Sequence, residues 1–216
     1  SNYPLSPMQQ GMLYNSLSSP NSGVEIEQIV CNSYEKINLP FFIAAWQGIV
    51  NEHPVLRSSI KWGDERKPIQ IISEDVSLDT HCHDLISFGK VEQDEIFVEF
   101  LRNDRLADFN QTSASMMRLN FFQISEKHLR FVWTFHHALL DGRAFPILLK
   151  ELYERYNFYL VSKEYYAPKL ASFFEYVDWT SKYSIENDQL FWRENLLGFS
   201  APTQLSLPKH SGHKEV

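Results

Sequence analysis

The chain has 216 residues, a net charge of −7 at neutral pH and a sequence pI near 5.6. At 44% hydrophobic and 14% aromatic it is large enough to bury a core as one domain, and its acidic balance gives no electrostatic footprint for nucleic acid. Its two cysteines, Cys31 and Cys82, make no disulfide framework, no apolar run approaches the roughly 20 residues of a membrane span, and no basic-then-apolar leader opens the sequence, so a cytoplasmic location is expected.

In chain order, Ser6-Pro7 reads as an N-cap followed by proline at the first helical position, opening a short amphipathic helix with Met8, Met12 and Leu13 on its apolar face. A turn-rich stretch at 18–23 leads to a strand from Glu25 to Tyr34, with Ile26, Gln28, Val30 and Asn32 on one face. Pro40 opens a helix over Phe41 to His53, with Phe42, Trp46, Ile49 and Val50 at helical spacing, and Pro54 closes it. A strand carrying Arg57 is expected from Val55 to Trp62, with Ile69 to Ile72 pairing after a turn at Gly63-Asp64. His81-Cys82-His83 has metal-ligand residue types. Neighbours on an extended chain splay apart, however, and no second Cys/His pair lies at finger-like spacing, so no metal site is expected.

Val91 to Asp108 is a charged amphipathic helix with Ile96, Phe97, Phe100, Leu101 and Leu106 inward. Met116 to Ile124 and Leu129 to Phe135 are strands joined by a hairpin at 125–127. The second runs into His136-His137-Ala138-Leu139-Leu140-Asp141-Gly142, and a helix follows with Phe145, Leu148, Leu149, Leu152 and Tyr156 on one face. Pro146 is costly inside a helix, so the helix is expected to start near Ala144. Leu170 to Tyr183 and Ile185 to Leu197 are two further helices, and the polar tail at 209–216 is expected to be disordered.

Two imidazoles at the end of a rigid strand suit acid–base chemistry. Adjacent strand residues face opposite ways, so His136 and His137 cannot both serve one reacting group. Asp141 is suited to cap the next helix, to orient an imidazole or to pair with a distant cation. The plainest alternative is a core strand ending in two ordinary histidines and a capping aspartate.

The string His136 to Gly142 resembles the H-H-x-x-x-D-G signature of condensation domains of nonribosomal peptide synthetases, acyltransferases of the chloramphenicol-acetyltransferase-like superfamily. Other stretches agree in the same order. Pro4 to Tyr14 is similar to the family's opening motif, and Asn51 to Arg57 to its R-H-x-x-L-R motif, with the first Arg absent and the last present as Arg57. Phe174 to Trp179 resembles the next motif with Glu175 where Asp is usual, and Phe191 to Thr203 the stretch leading out of the first lobe.

The resemblance covers residues 3–208 and implies one N-terminal lobe of a two-lobed domain. The implied fold is α+β, a mixed or antiparallel sheet with helices packed mainly on one face. The implied reaction joins an acceptor aminoacyl amine to a donor acyl or peptidyl thioester, both held on phosphopantetheine arms of carrier proteins, with no bound cofactor or metal. The implied partners are the C-terminal lobe and the donor and acceptor carrier proteins, with no nucleic acid and no membrane, and the isolated lobe is expected to be inactive. His137 is implied as the base or as an orienter of the amine, and His136 as a core residue with a fixed hydrogen bond. Asp141 is implied to pair with Arg57, where loss of one partner costs ~3–5 kcal/mol, and Gly142 to allow a close approach or a positive φ. The alternatives are a non-catalytic docking lobe, or a lobe of a related acyltransferase or epimerase.

Overall fold

A computed structural model describes residues 2–62, 67–166, 171–183, 185–201 and 203. The chain forms two compact units, Ser1–Ser181 and Lys182–Val216. The turn at Gly63-Asp64 and the tail at 209–216 lie outside the described residues.

In the first unit the strands are β1 (Asn2–Pro4), β2 (Ile26–Ser33), β3 (Ser58–Trp62), β4 (Pro68–Ile72), β5 (Asp79–Asp84), β6 (Met117–Ser125) and β7 (His128–His136). The helices are α1 (Pro7–Ser18), α2 (Leu39–Glu52), α3 (Lys90–Leu106), α4 (Ala144–Leu160) and α5 (Phe173–Ser181). The second unit contributes α6 (Ile185–Asn195), on which the Phe191 and Trp192 rings meet edge to face at 5.3 Å. Among the described residues no helix is long and apolar enough to cross a membrane.

Local chemistry accounts for most helix ends. Ser6 Oγ accepts the Gln9 N–H and Gln9 Oε1 accepts the Ser6 N–H, a capping box that starts α1 with Pro7 in its first turn. Asn38 Oδ1 accepts the Phe41 N–H to start α2. Pro146 falls in the first turn of α4, where its missing N–H costs nothing. Pro54 does not lead straight into a strand. It opens a 3-10 turn, Pro54–Arg57, so Arg57 precedes β3 rather than lying on it.

The strands make two sheets, β1-β4-β3 and β2-β7-β6-β5. The second is mixed: β2, β7 and β6 pair antiparallel, and β5 joins β6 in parallel. The His81-Cys82-His83 segment lies within β5, a strand the sequence pattern missed. His81 meets Asp79 at 3.0 Å, while His83 donates to Asn120 Oδ1 and stacks on Phe122.

Strand β7 is central, and its two faces see different layers. Phe131, Trp133 and Phe135 face the main core with Phe42, Trp46 and Ile49 of α2 and Leu148, Leu152 and Tyr156 of α4. Trp46 and Trp133 are fully buried with ring centroids 4.8 Å apart. Each such ring contributes on the order of 3–5 kcal/mol of hydrophobic free energy before entropy is counted. The opposite face carries Val132, packed with Phe97 of α3, Phe122 and Leu85. There Thr134 Oγ donates to Asp104, which also accepts from Arg118 Nε and Gln28 Nε2, all at 2.6 Å. Two helices thus cover one face and α3 the other. Leu106, expected inward, lies at the exposed end of α3.

A second buried polar network joins α2 to α4. Arg155 donates to Glu151 at 2.7 Å and His53 Nε2 donates to the other carboxylate oxygen at 2.7 Å. Burial pushes the Glu151 carboxyl up, but the hydrogen bonds and charges of His53 and Arg155 outweigh it and hold it below the ordinary value. Gly48 makes room for this guanidinium: a Cβ there would lie 2.8 Å from Arg155 Cδ and Nη1. In Gly48→Ala, crowding of about 1–3 kcal/mol opposes a helix-propensity gain of about 1 kcal/mol. The expected result is a lower urea midpoint with unchanged slope; a rise would mean that Arg155 yields at no cost.

Candidate functional site

The site grows out of the end of β7. The His136 N–H donates to Met116 O just before β6 and the His137 N–H to Glu25 O just before β2, so neighbouring chain holds both backbones. Alternation then sends the two rings opposite ways, as the sequence pattern requires. His136 is 1% exposed. Its Nδ1 accepts the Ala138 N–H at 3.1 Å, so its Nε2 carries the proton and donates to Ser16 Oγ of α1 at 2.8 Å. Both ring nitrogens are therefore used, as expected for a core histidine.

His137 is half-buried, and its Nδ1 donates to Leu140 O at 2.9 Å. A carbonyl only accepts, so the neutral ring carries its proton on Nδ1 and a lone pair on Nε2. That ring lines a cavity of about 880 Å³, in the size range of small-molecule sites. Met8, Met12, Val55, Leu139, Ile147 and Phe173 give its apolar walls, and its polar groups include Glu52, His53, His137 and Asp141. The loop after β7 is held from several sides. Gln9 Nε2 donates to Ala138 O at 2.9 Å, and the buried Gln9 and Gln70 amides pair with each other at 3.0 and 3.2 Å. The Leu139 N–H returns to His136 O.

Two expected roles are corrected. Asp141 does not pair with Arg57. Its Oδ1 accepts the N–H groups of Arg143 and Ala144, both at 2.9 Å, and so caps the start of α4. Arg57, displaced from the strand by the 3-10 turn, donates instead to Val50 O, Ser73 O and Glu74 O. Gly142 needs neither a positive φ nor an absent side chain, since an added Cβ would meet only Phe145 at an ordinary 3.9 Å.

Gln9, Ser16, Gln70, His53 and Glu151 carry no sequence-level signal for the roles they play here. Gln9 lies within the stretch Pro4 to Tyr14 and His53 within Asn51 to Arg57, so those two stand inside recognisable motifs. The His53–Glu151 contact spans 98 residues and leaves no local pattern.

Comparison with known proteins bears on the same stretch. The condensation domain family model matches residues 1–215. A linear gramicidin synthase polypeptide of Brevibacillus parabrevis is 35% identical over 210 residues, covering 97% of this chain and 3% of that protein. Surfactin synthase subunit 3 of Bacillus subtilis is 28% identical over 201 residues, covering 93% of this chain and 16% of that one. The crystal structure of the starter condensation domain of rhizomide synthetase RzmA superposes with TM-score 0.82 at 17% identity, covering 94% of this chain and 49% of that one. A mutant of that domain in complex with C8-CoA and Leu-SNAC superposes equally well, with TM-score 0.82 at 17% identity over 94% of this chain and 47% of that one. The chain thus spans about half the length of these solved domains and a few per cent of the gramicidin synthase polypeptide.

Two measurements check the local account. Asp141→Ala is expected to cost about 0.5–2 kcal/mol in urea unfolding, with Asp141→Asn retaining most of the cap. A loss of ~3–5 kcal/mol would point back to a buried ion pair. Burial lowers the His136 pKa from its ordinary 6.5, aided by the charge of His137 and opposed by Glu25 and Asp108. Folding therefore favours the neutral ring, so this stability is full above about pH 6.5 and is lost as pH falls through the lower folded value. Unfolding midpoints of the native chain should drop more steeply across that window than those of His136→Gln; parallel profiles would contradict the assignment.

Proposed function

Because the chain belongs to the condensation domain family, matched over residues 1–215, we propose that it is the N-terminal lobe of an amide-forming acyltransferase of a nonribosomal peptide synthetase. The observation that carries the proposal is the locked tautomer of His137, with Nδ1–H tied to Leu140 O and Nε2 left for the cavity.

In this reading the acceptor's α-amine attacks the carbonyl carbon of the donor thioester. Nε2 of His137 accepts a hydrogen bond from that amine, which orients its lone pair, and takes the proton the nitrogen sheds as the C–N bond forms. The tetrahedral centre then collapses, the C–S bond breaks, and the carrier's phosphopantetheine leaves as the thiol, taking the proton from His137 Nε2 and restoring the neutral ring. The thioester is already activated, so the chemistry calls on no resident cofactor or metal, and phosphopantetheine arrives with the substrates. His136 acts at one remove, by bracing the Ala138 N–H and Ser16, and Asp141 by starting α4. The donor and acceptor carrier proteins and a C-terminal lobe complete the assembly, and the expected location is cytoplasmic.

The test is an amide-forming assay with two thioester-loaded carrier proteins, run on this chain alone and with a separately produced C-terminal lobe. Product should require both lobes and fall by roughly 10²–10⁴ in His137→Ala, the usual range for a lost acid–base group. Undiminished product from His137→Ala would remove the histidine from the mechanism, and product from this chain alone would overturn the half-site reading.

A further inference from the structure

The cavity that His137 lines has a second imidazole in its wall. His53 caps the C-terminal end of α2, and its Nε2 lies 2.7 Å from Glu151 on α4. Glu151 is buried and is held on its other oxygen by Arg155, also buried, so it is a fixed acceptor rather than a mobile one. An acceptor on Nε2 puts the neutral ring's proton there and leaves the lone pair on Nδ1. Among the described residues that Nδ1 has no hydrogen-bond partner and is not one of the sealed, unpaired polar atoms, so it is an accessible acceptor on a side chain that lines the cavity. The two histidines are thus locked in opposite tautomers by different acceptors, a carbonyl for His137 and a carboxylate for His53.

We infer that His53 is a second substrate-binding imidazole, whose Nδ1 accepts an amide N–H from the acyl thioester bound in the His137 cavity. This rests on the proposed function for the class of ligand. When the ring is neutral, that lone pair takes a neutral donor such as an amide N–H, and the surrounding Val55, Leu56 and Ile147 suit an apolar acyl chain beside it. Glu151 and Arg155 are positioning residues in this arrangement: they hold the ring and do not reach the ligand through any contact of their own.

The test is NMR of the unaltered chain carrying ¹⁵N-labelled histidine, above the ordinary imidazole titration range. The probes are the octanoyl thioester of N-acetylcysteamine and the same thioester methylated on its amide nitrogen. The free protein should show His53 protonated on Nε2. The first probe should shift the His53 Nδ1 resonance, while the methylated one leaves it in place and binds about three- to tenfold more weakly, the worth of one hydrogen bond. A His53 resonance that ignores both probes while His137 responds would overturn this inference and leave the proposed function standing. An equal response to both probes would overturn it too. No binding of either probe, with both histidines silent, would count against the thioester cavity and the inference together.

Discussion

The hydrogen bond from His137 Nδ1 to Leu140 O is the interaction on which the rest of the site depends. It fixes a ring, a tautomer and the course of the loop at once. Its geometry requires β7 to stop where it does, the loop to fold back within three residues, and α4 to start soon after. Each requirement is met by a separate bond: His137 N to Glu25 O, Leu139 N to His136 O, and the Asp141 carboxylate to the first amides of α4. The Gln9 amide, pinned by the capping box and by Gln70, holds the loop from the side of α1.

The same alternation that separates the histidines organises the layers of the first unit. One face of β7 is aromatic and packs on α2 and α4; the other is mixed, with Val132 apolar and Thr134 and His136 polar, and meets α3 and α1. Two buried charged centres, Asp104 and Glu151, sit on opposite sides of the sheet, and each is satisfied by several donors. Removing one donor would leave a buried charge short of partners, which is why such networks hold helices in one register.

Features with a local cause were legible in the sequence. Ser6-Pro7, the positions of Pro40 and Pro146, the 125–127 hairpin and the opposed histidines follow from capping, proline stereochemistry and strand period, and the structure agrees with each. Features set by distant partners were not. Strand β5 pairs in parallel with β6 across more than 30 residues and carries little apolar patterning of its own. The Asp141–Arg57 pair inferred from the resemblance failed because the 3-10 turn after Pro54 turns Arg57 toward carbonyls, while Asp141 finds amides two and three residues on. His53 and Glu151 meet only because α2 and α4 pack together.

The central claim is that two adjacent histidines differ in availability: His136 has both nitrogens occupied in the core, and His137 has one open to the cavity. Brief treatment of the folded chain with diethyl pyrocarbonate, which acylates an accessible unprotonated imidazole nitrogen, tests this directly when the peptide is sequenced by mass spectrometry. The account predicts label on His137 with His136 protected until the protein is unfolded. Label on His136, or equal protection of both, would contradict it.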